Sequence, residues 1–171
     1  SPKSESRRAG VTHFRNKEPE KAKACIGYVP DEPVLYEKLT GLEHLDFIGE
    51  LYGVPKAIRK TRGLELLGML GLEDKGRDLI QSYSKGMRQK ISIAAALLHS
   101  PLVLIMDEPV SGLDPMSARV LKSLVRNLAR SGTTVLISTH LLEIAKRCNV
   151  AGHSTGVYLL RAFPLQPVPR R

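Results

Sequence analysis

Ser82-Tyr83-Ser84-Lys85-Gly86-Met87-Arg88-Gln89-Lys90 opens a stretch that continues through apolar residues and closes on Leu102-Val103-Leu104-Ile105-Met106-Asp107-Glu108-Pro109. Ser84 is a good N-cap, so the polar turn starts a helix. The helix feeds a short, continuous apolar run, as expected of a parallel strand covered on both faces. That strand delivers two adjacent carboxylates, Asp107 and Glu108, at its C-terminal end. Open parallel sheets place their ligand sites there. The layout suits a nucleoside triphosphate, its metal and an attacking water.

Downstream, Ser111-Gly112-Leu113-Asp114 leads into Pro115, and Asp114 before proline opens another helix. This helix spans about 116–130, with Val120, Leu121, Leu124 and Leu128 turned inward and its arginines outward. A second apolar strand, 134–138, follows and runs into Thr139-His140. Strand, helix and strand form a β-α-β unit whose crossover should be right-handed.

Upstream, residues 24–29 read as a strand stopped by Pro30. Thr40-Gly41-Leu42-Glu43 has capping-box spacing. Leu42, Leu45, Ile48 and Leu51-Tyr52 recur at helical intervals until Gly53 and Pro55. A further helix carries Leu64, Leu67 and Leu70 on one face, with Gly71 as its C-terminal cap. Residues from about 39 to 99 are therefore all helical.

These segments, in this order, resemble the ATP-binding subunit of ABC transporters. Ser84-Lys85-Gly86 stands at its signature motif, Asp107-Glu108 at its Walker B motif and 111–114 at its D-loop. Val135-Leu136-Ile137-Ser138-Thr139-His140 is similar to the strand ending in the switch histidine, and Cys25-Ile26-Gly27-Tyr28-Val29-Pro30-Asp31-Glu32-Pro33 to the Q-loop segment. The resemblance runs from about Glu18 to Glu143. It implies an α/β fold: a P-loop NTPase-like parallel sheet with an inserted helical subdomain, incomplete at both ends. The implied organisation is a loose segment 1–17, a partial ATPase domain 18–147 and a divergent Pro- and Arg-rich tail 148–171.

The resemblance also implies roles. Asp107 would hold Mg²⁺ with ATP, through water in the family's manner, and Glu108 would orient the attacking water. His140 would sense the γ-phosphate. Ser84, Lys85 and Gly86 would grip ATP on a second subunit, Ser111 and Asp114 would span the dimer, and Asp31 would take the Q-loop position. The partners implied are a homodimer or heterodimer of ATPase subunits and a transmembrane permease subunit, with the chain cytoplasmic and peripheral on the inner face of the membrane. The segment 28–41 is similar to exporter-type subunits of bacteria. A non-catalytic, regulatory partner that lends its signature surface to a complete ATPase is the alternative.

The chain departs from the family at several places. Tyr83, Lys85 and Met87 replace Leu, Gly and Gln of Leu-Ser-Gly-Gly-Gln, and Asp31 replaces the usual glutamine. No glycine is followed by lysine anywhere, so the Gly-x-x-x-x-Gly-Lys-Ser/Thr phosphate cradle is not among these 171 residues. Without it, ATP binding should be weak. The family's cradle strand is expected beside the strand ending at Asp107, so its loss would leave an apolar sheet edge and a marginal monomer. After Glu143 the likeness stops, either through a reading-frame change near Arg147 or through natural divergence.

Composition bounds these readings. The chain is long enough for a sizeable core, and 42% apolar content is ordinary for a globular protein. The net charge of +9 sits at the ends. Residues 1–24 hold seven Lys/Arg against three acids, and residues after Glu143 hold five against none. Between them the signs balance at fourteen each. A neutral body with few aromatics argues against nucleic acid as a partner. Cys25 and Cys148 give no metal-ligand spacing. The longest apolar stretch is broken by His99-Ser100-Pro101, well short of the ~20 residues that cross a bilayer.

Overall fold

The computed structural model describes residues 19–139, 150–154 and 157–160. In chain order these form α1 (Pro19–Ala24), β1 (Ile26–Val29), α2 (Gly41–Leu51), α3 (Lys56–Met69), two single 3₁₀ turns (Glu73–Lys75 and Ile80–Ser82), α4 (Lys85–Leu97), β2 (Val103–Asp107), α5 (Pro115–Arg130), β3 (Thr134–Ser138), β4 (Val150–Ser154) and β5 (Val157–Leu160). Every described element between Gly41 and Leu97 is helical.

Helix α2 begins where the capping box requires. The Thr40 hydroxyl accepts from the Glu43 N–H at 3.2 Å, and the Glu43 carboxylate accepts from the Thr40 N–H at 2.8 Å. Helix α3 ends at Gly71, whose φ of +65° is open to glycine without a side-chain clash. Its buried face is Gly63, Leu66, Leu67 and Leu70, not the expected row of Leu64, Leu67 and Leu70: Leu64 is exposed. Positions 63, 66, 67 and 70 keep the i, i+3, i+4, i+7 spacing of one stripe, and Leu64 lies ~100° round the helix from it.

The sheet order is β1-β2-β3-β5-β4. Strands β1, β2 and β3 are parallel, with Tyr28 opposite Ile105 and Ile105 opposite Leu136. Strand β5 is antiparallel to β3, and β4 to β5. Gly27, Val29, Leu104, Met106, Val135 and Ile137 share the buried face. There they join Ile91, Ile93 and Leu97 of α4 and Leu121, Leu124 and Val125 of α5 in one core. The approach is close: a Cβ on Gly27 would stand 2.5 Å from the Ala96 carbonyl oxygen.

Three expectations are corrected here. Strand β2 is paired on both sides, so no missing neighbour leaves an edge beside it. The less covered apolar surface is a face, with Ile26, Val103, Ile105 and Leu136 half-buried and Tyr28 exposed. Second, the region set apart as a tail contains strands β4 and β5, joined to the sheet through β3. Third, Val120, expected inward, is 37% exposed, because Ser117, Leu121, Leu124, Val125 and Ala129 form the buried stripe of α5 and Val120 sits at its margin.

Candidate functional site

Parallel strands bring their C-terminal ends to one edge of a sheet. The register sets Val29 beside Met106 and Asp107 beside Ser138, so Pro30-Asp31, Asp107-Glu108 and Thr139 leave the sheet side by side. Asp107 is half-buried, and among the described residues its carboxylate accepts no hydrogen bond and pairs with no cation. A half-buried carboxylate without such partners is open to a cation. No three His, Cys, Asp or Glu side chains converge among the described residues. Mg²⁺ does not require such a cage, since it is commonly held by one or two carboxylates with phosphate oxygens and water.

Glu108 occupies the left-handed region with φ +43°. For a non-glycine residue this stores ~1–2 kcal/mol. The surroundings hold it there: its N–H donates to the Ser138 carbonyl at 2.8 Å, and its carbonyl accepts from the Ser111 N–H at 2.9 Å. The Thr139 hydroxyl, itself buried, donates to Glu108 Oε2 at 3.1 Å. Thus the turn after β2 is bolted to the end of β3. His140, the next residue in the chain, lies outside the described residues.

The second cluster is the turn into α4. Ser84 caps the helix, its hydroxyl accepting from the Met87 N–H at 3.3 Å. Ser84 and Lys85 are exposed, and the free amides of such a first turn favour an anion. The turn also touches the loop after β2. A Cβ on Gly86 would come within 3.0 Å of the Gly112 carbonyl oxygen, and the methylenes of Lys85 lie over Gly112, whose φ is +73°. The structure therefore brings Lys85 and Gly86 of this turn against Gly112 and Leu113.

Asp114 is occupied locally. One carboxylate oxygen accepts the N–H groups of Met116 and Ser117, each at 3.0 Å, and the other accepts the Ser117 hydroxyl at 2.5 Å. The Ser117 hydroxyl, followed by these amides, holds the carboxyl below its usual pKa. Asp31 is half-buried in the bend after β1.

Sequence reasoning missed two residues. Thr139 carries the link to Glu108 and gave no signal beyond preceding a histidine. Arg88 donates to Glu37 at 2.5 Å, to the Tyr83 carbonyl at 3.3 Å and to the Gln81 carbonyl at 3.4 Å, fixing the α4 turn against the segment after β1. Its role depends on Glu37, 51 residues away, which no local pattern reveals. Tyr83, where the family has leucine, is buried and donates its hydroxyl to the Lys75 carbonyl at 2.5 Å.

A sequence model described as ABC transporter matches residues 2–111, more than half of the chain. The chain belongs to the ABC transporter family. Its ABC relatives include the linearmycin resistance ATP-binding protein LnrL of Bacillus subtilis, 43% identical over 127 residues, covering 74% of this chain and 41% of that protein. The bacitracin transport ATP-binding protein BcrA of Enterococcus faecalis is 37% identical over 148 residues, covering 85% and 47%. The ABC-type transporter ATP-binding protein EcsA of Bacillus subtilis is 38% identical over 130 residues, covering 76% and 53%. A solved ATP-binding subunit of an ABC transporter superposes with a TM-score of 0.70 at 38% identity, over 75% of this chain and 54% of that one. The chain spans about half the length of these ABC proteins. Its fold is the α/β, parallel-sheet fold of ABC ATPases. Among the described residues no helix is long and apolar enough to cross a membrane.

Proposed function

We propose that the chain supplies the hydrolytic edge and the signature surface of an ATP site in an ABC transporter, and that the site powers transport across a membrane. The observation that carries this reading is the Glu108 turn, strained at φ +43° and fastened to the end of β3 through Ser138 and Thr139. Strained backbone persists where the surroundings over-determine it, and such places cluster at reactive sites.

In this reading Asp107 holds Mg²⁺, whose chemistry would be to neutralise charge on the phosphate oxygens. Glu108 accepts a hydrogen bond from the attacking water and orients it. The Thr139 hydroxyl keeps the carboxylate aimed, and His140 contacts the γ-phosphate. Phosphoryl transfer asks mainly for such positioning and charge stabilisation. Ser84, Lys85 and Gly86 present a hydroxyl, an ammonium and helix N-terminal amides to a triphosphate on a second ATPase subunit. Ser111 and Asp114 lie along the same contact, where Asp114 also caps its helix. Asp31 meets the metal or a water at the Q-loop position. A transmembrane permease is the membrane partner, with the ATPase peripheral on its cytoplasmic side. The ATPase region takes in 18–147 together with strands β4 and β5, with its helical subdomain at about 39–99.

The triphosphate that meets this chain's signature surface is held by the second subunit, and a phosphate cradle is not among these 171 residues. Equilibrium Mg-ATP binding tests this. The chain alone should bind weakly, and mixing with a complete ABC ATP-binding subunit should restore micromolar binding that is lost in Ser84→Ala/Gly86→Ala. Restoration that is indifferent to those substitutions would overturn the reading. Binding by the mixture with no hydrolysis attributable to Glu108 would favour the second reading, a regulatory half that lends only its signature surface, which the departures at Tyr83, Lys85 and Met87 support.

A further inference from the structure

Helix α5 carries four basic residues and no acidic one over its sixteen residues. Arg119, Arg126 and Arg130 are exposed and fall within ~40° of one another around the axis, at ~100° per residue. Their row is ~16 Å long at 1.5 Å per residue. Among the described residues none of the three meets a carboxylate; Arg126 donates only to the Lys122 carbonyl of its own helix. Beside this row α5 and the end of α3 leave a groove. It comprises two adjoining hollows of about 130 and 300 Å³, which share Val120 in their walls. Met69 and Met116 stand half or more exposed at its rim, Leu70 and Leu113 lie within it, and Arg119 lines it. No acidic side chain lines either hollow.

We propose that this groove docks an acidic amphipathic helix of a partner polypeptide, about three turns long. Its apolar side chains enter between Met69, Met116 and Val120, and its carboxylates pair with Arg119, Arg126 and Arg130. An apolar trough beside a row of like charges fits the helix-in-groove mode of recognition. Charge selects the occupant. The chain's own C-terminal region has five Lys/Arg and no acid after Glu143, and the same face of a second copy is equally basic, so both are repelled. The concave shape favours an inserted helix over a flat anionic membrane.

The test uses the full chain and a labelled synthetic peptide of three turns, leucine at i, i+3, i+4 and i+7 and glutamate elsewhere. A counterpart with lysine for glutamate and phosphatidylserine vesicles serve as comparisons. Fluorescence anisotropy should show saturable binding of the acidic peptide alone, weakened about tenfold or more in Arg119→Gln/Arg126→Gln/Arg130→Gln and by high salt. Methyl resonances of Met69, Met116 and Val120 should shift on binding. Equal binding of both peptides, unchanged binding by the arginine variant, or binding to vesicles without the peptide would each overturn the proposal. If the variant melts early, the salt titration of the unaltered chain decides: affinity independent of salt overturns it.

Discussion

The Thr139 hydroxyl donates a 3.1 Å hydrogen bond to the carboxylate of Glu108, tying the residue after β3 to the residue after β2. The two are 31 positions apart and meet because Asp107 and Ser138 are register partners at the end of adjacent parallel strands. Glu108 is thus held in an uncommon backbone conformation while its side chain is aimed by a buried neighbour. Replacing Thr139 by Val keeps the volume but removes the donor, and should cost about 1 kcal/mol in urea unfolding. In an assembled ATPase it should also lower turnover more than ATP binding, since it disturbs the aim of Glu108.

The strain at Glu108 is separable from its carboxylate. Glu108→Gly and Glu108→Ala both delete the acid, but only glycine is at ease at φ +43°. The glycine variant should be the more stable of the two by ~1 kcal/mol, as read by chemical denaturation. Equal stabilities would show that the turn relaxes without strain.

Gly27→Ala should destabilise the protein by ~1–3 kcal/mol. The added methyl would meet the Ala96 carbonyl oxygen at 2.5 Å, a backbone atom that cannot turn aside. Either β1 or α4 must move, so Asp31, just beyond β1, should shift as well. The amide resonances of Asp31 and Glu32 would report that movement.

Asp114→Ala should lower stability by exposing the first turn of α5, because the carboxylate accepts three hydrogen bonds there. The folded pKa lies below the usual carboxylate value, chiefly through the Ser117 hydroxyl. Its contribution is therefore present above the unfolded pKa and fades as pH falls through the folded one. The difference between the original chain and Asp114→Ala should shrink on acidification, measured as the gap between their melting temperatures.

His44 and His99 give a second pH dependence of the same sign. Burial lowers the pKa of both, and the Arg62 guanidinium adds to the effect at His99, partly opposed by its bond to Ile26. His99 stacks on Tyr52 at 3.8 Å and donates from Nε2 to the Ile26 carbonyl at 3.1 Å, leaving a buried Nδ1 without a partner. Protonation would put a second cation near Arg62 with no acceptor. With folded pKa values below 6.5, the unfolded chain binds more protons, and stability is full above 6.5 and lost as pH falls below it. His99→Gln should flatten that slope in melts between pH 7.5 and 5; an unchanged slope would remove His99 as a source.

Much of this molecule was legible in its amino-acid order. The Thr40–Glu43 box, the Gly71 stop, the Ser84 and Asp114 caps and the two apolar runs ending at 107 and 138 are local devices. Each satisfies backbone groups within a few residues of itself, so the chain states them by itself. The order of the motifs fixed the family for the same reason.

What only the tertiary structure decided depends on partners distant along the chain. Leu64 and Val120 face outward because neighbouring elements, not hydrophobicity, choose which stripe of a helix is covered. The interior place of β2, the antiparallel attachment of β5 to β3, the Arg88–Glu37 pair and the link from Thr139 to Glu108 are long-range pairings. Spacing names the side chains that a site needs, whereas strand register and packing determine which of them meet.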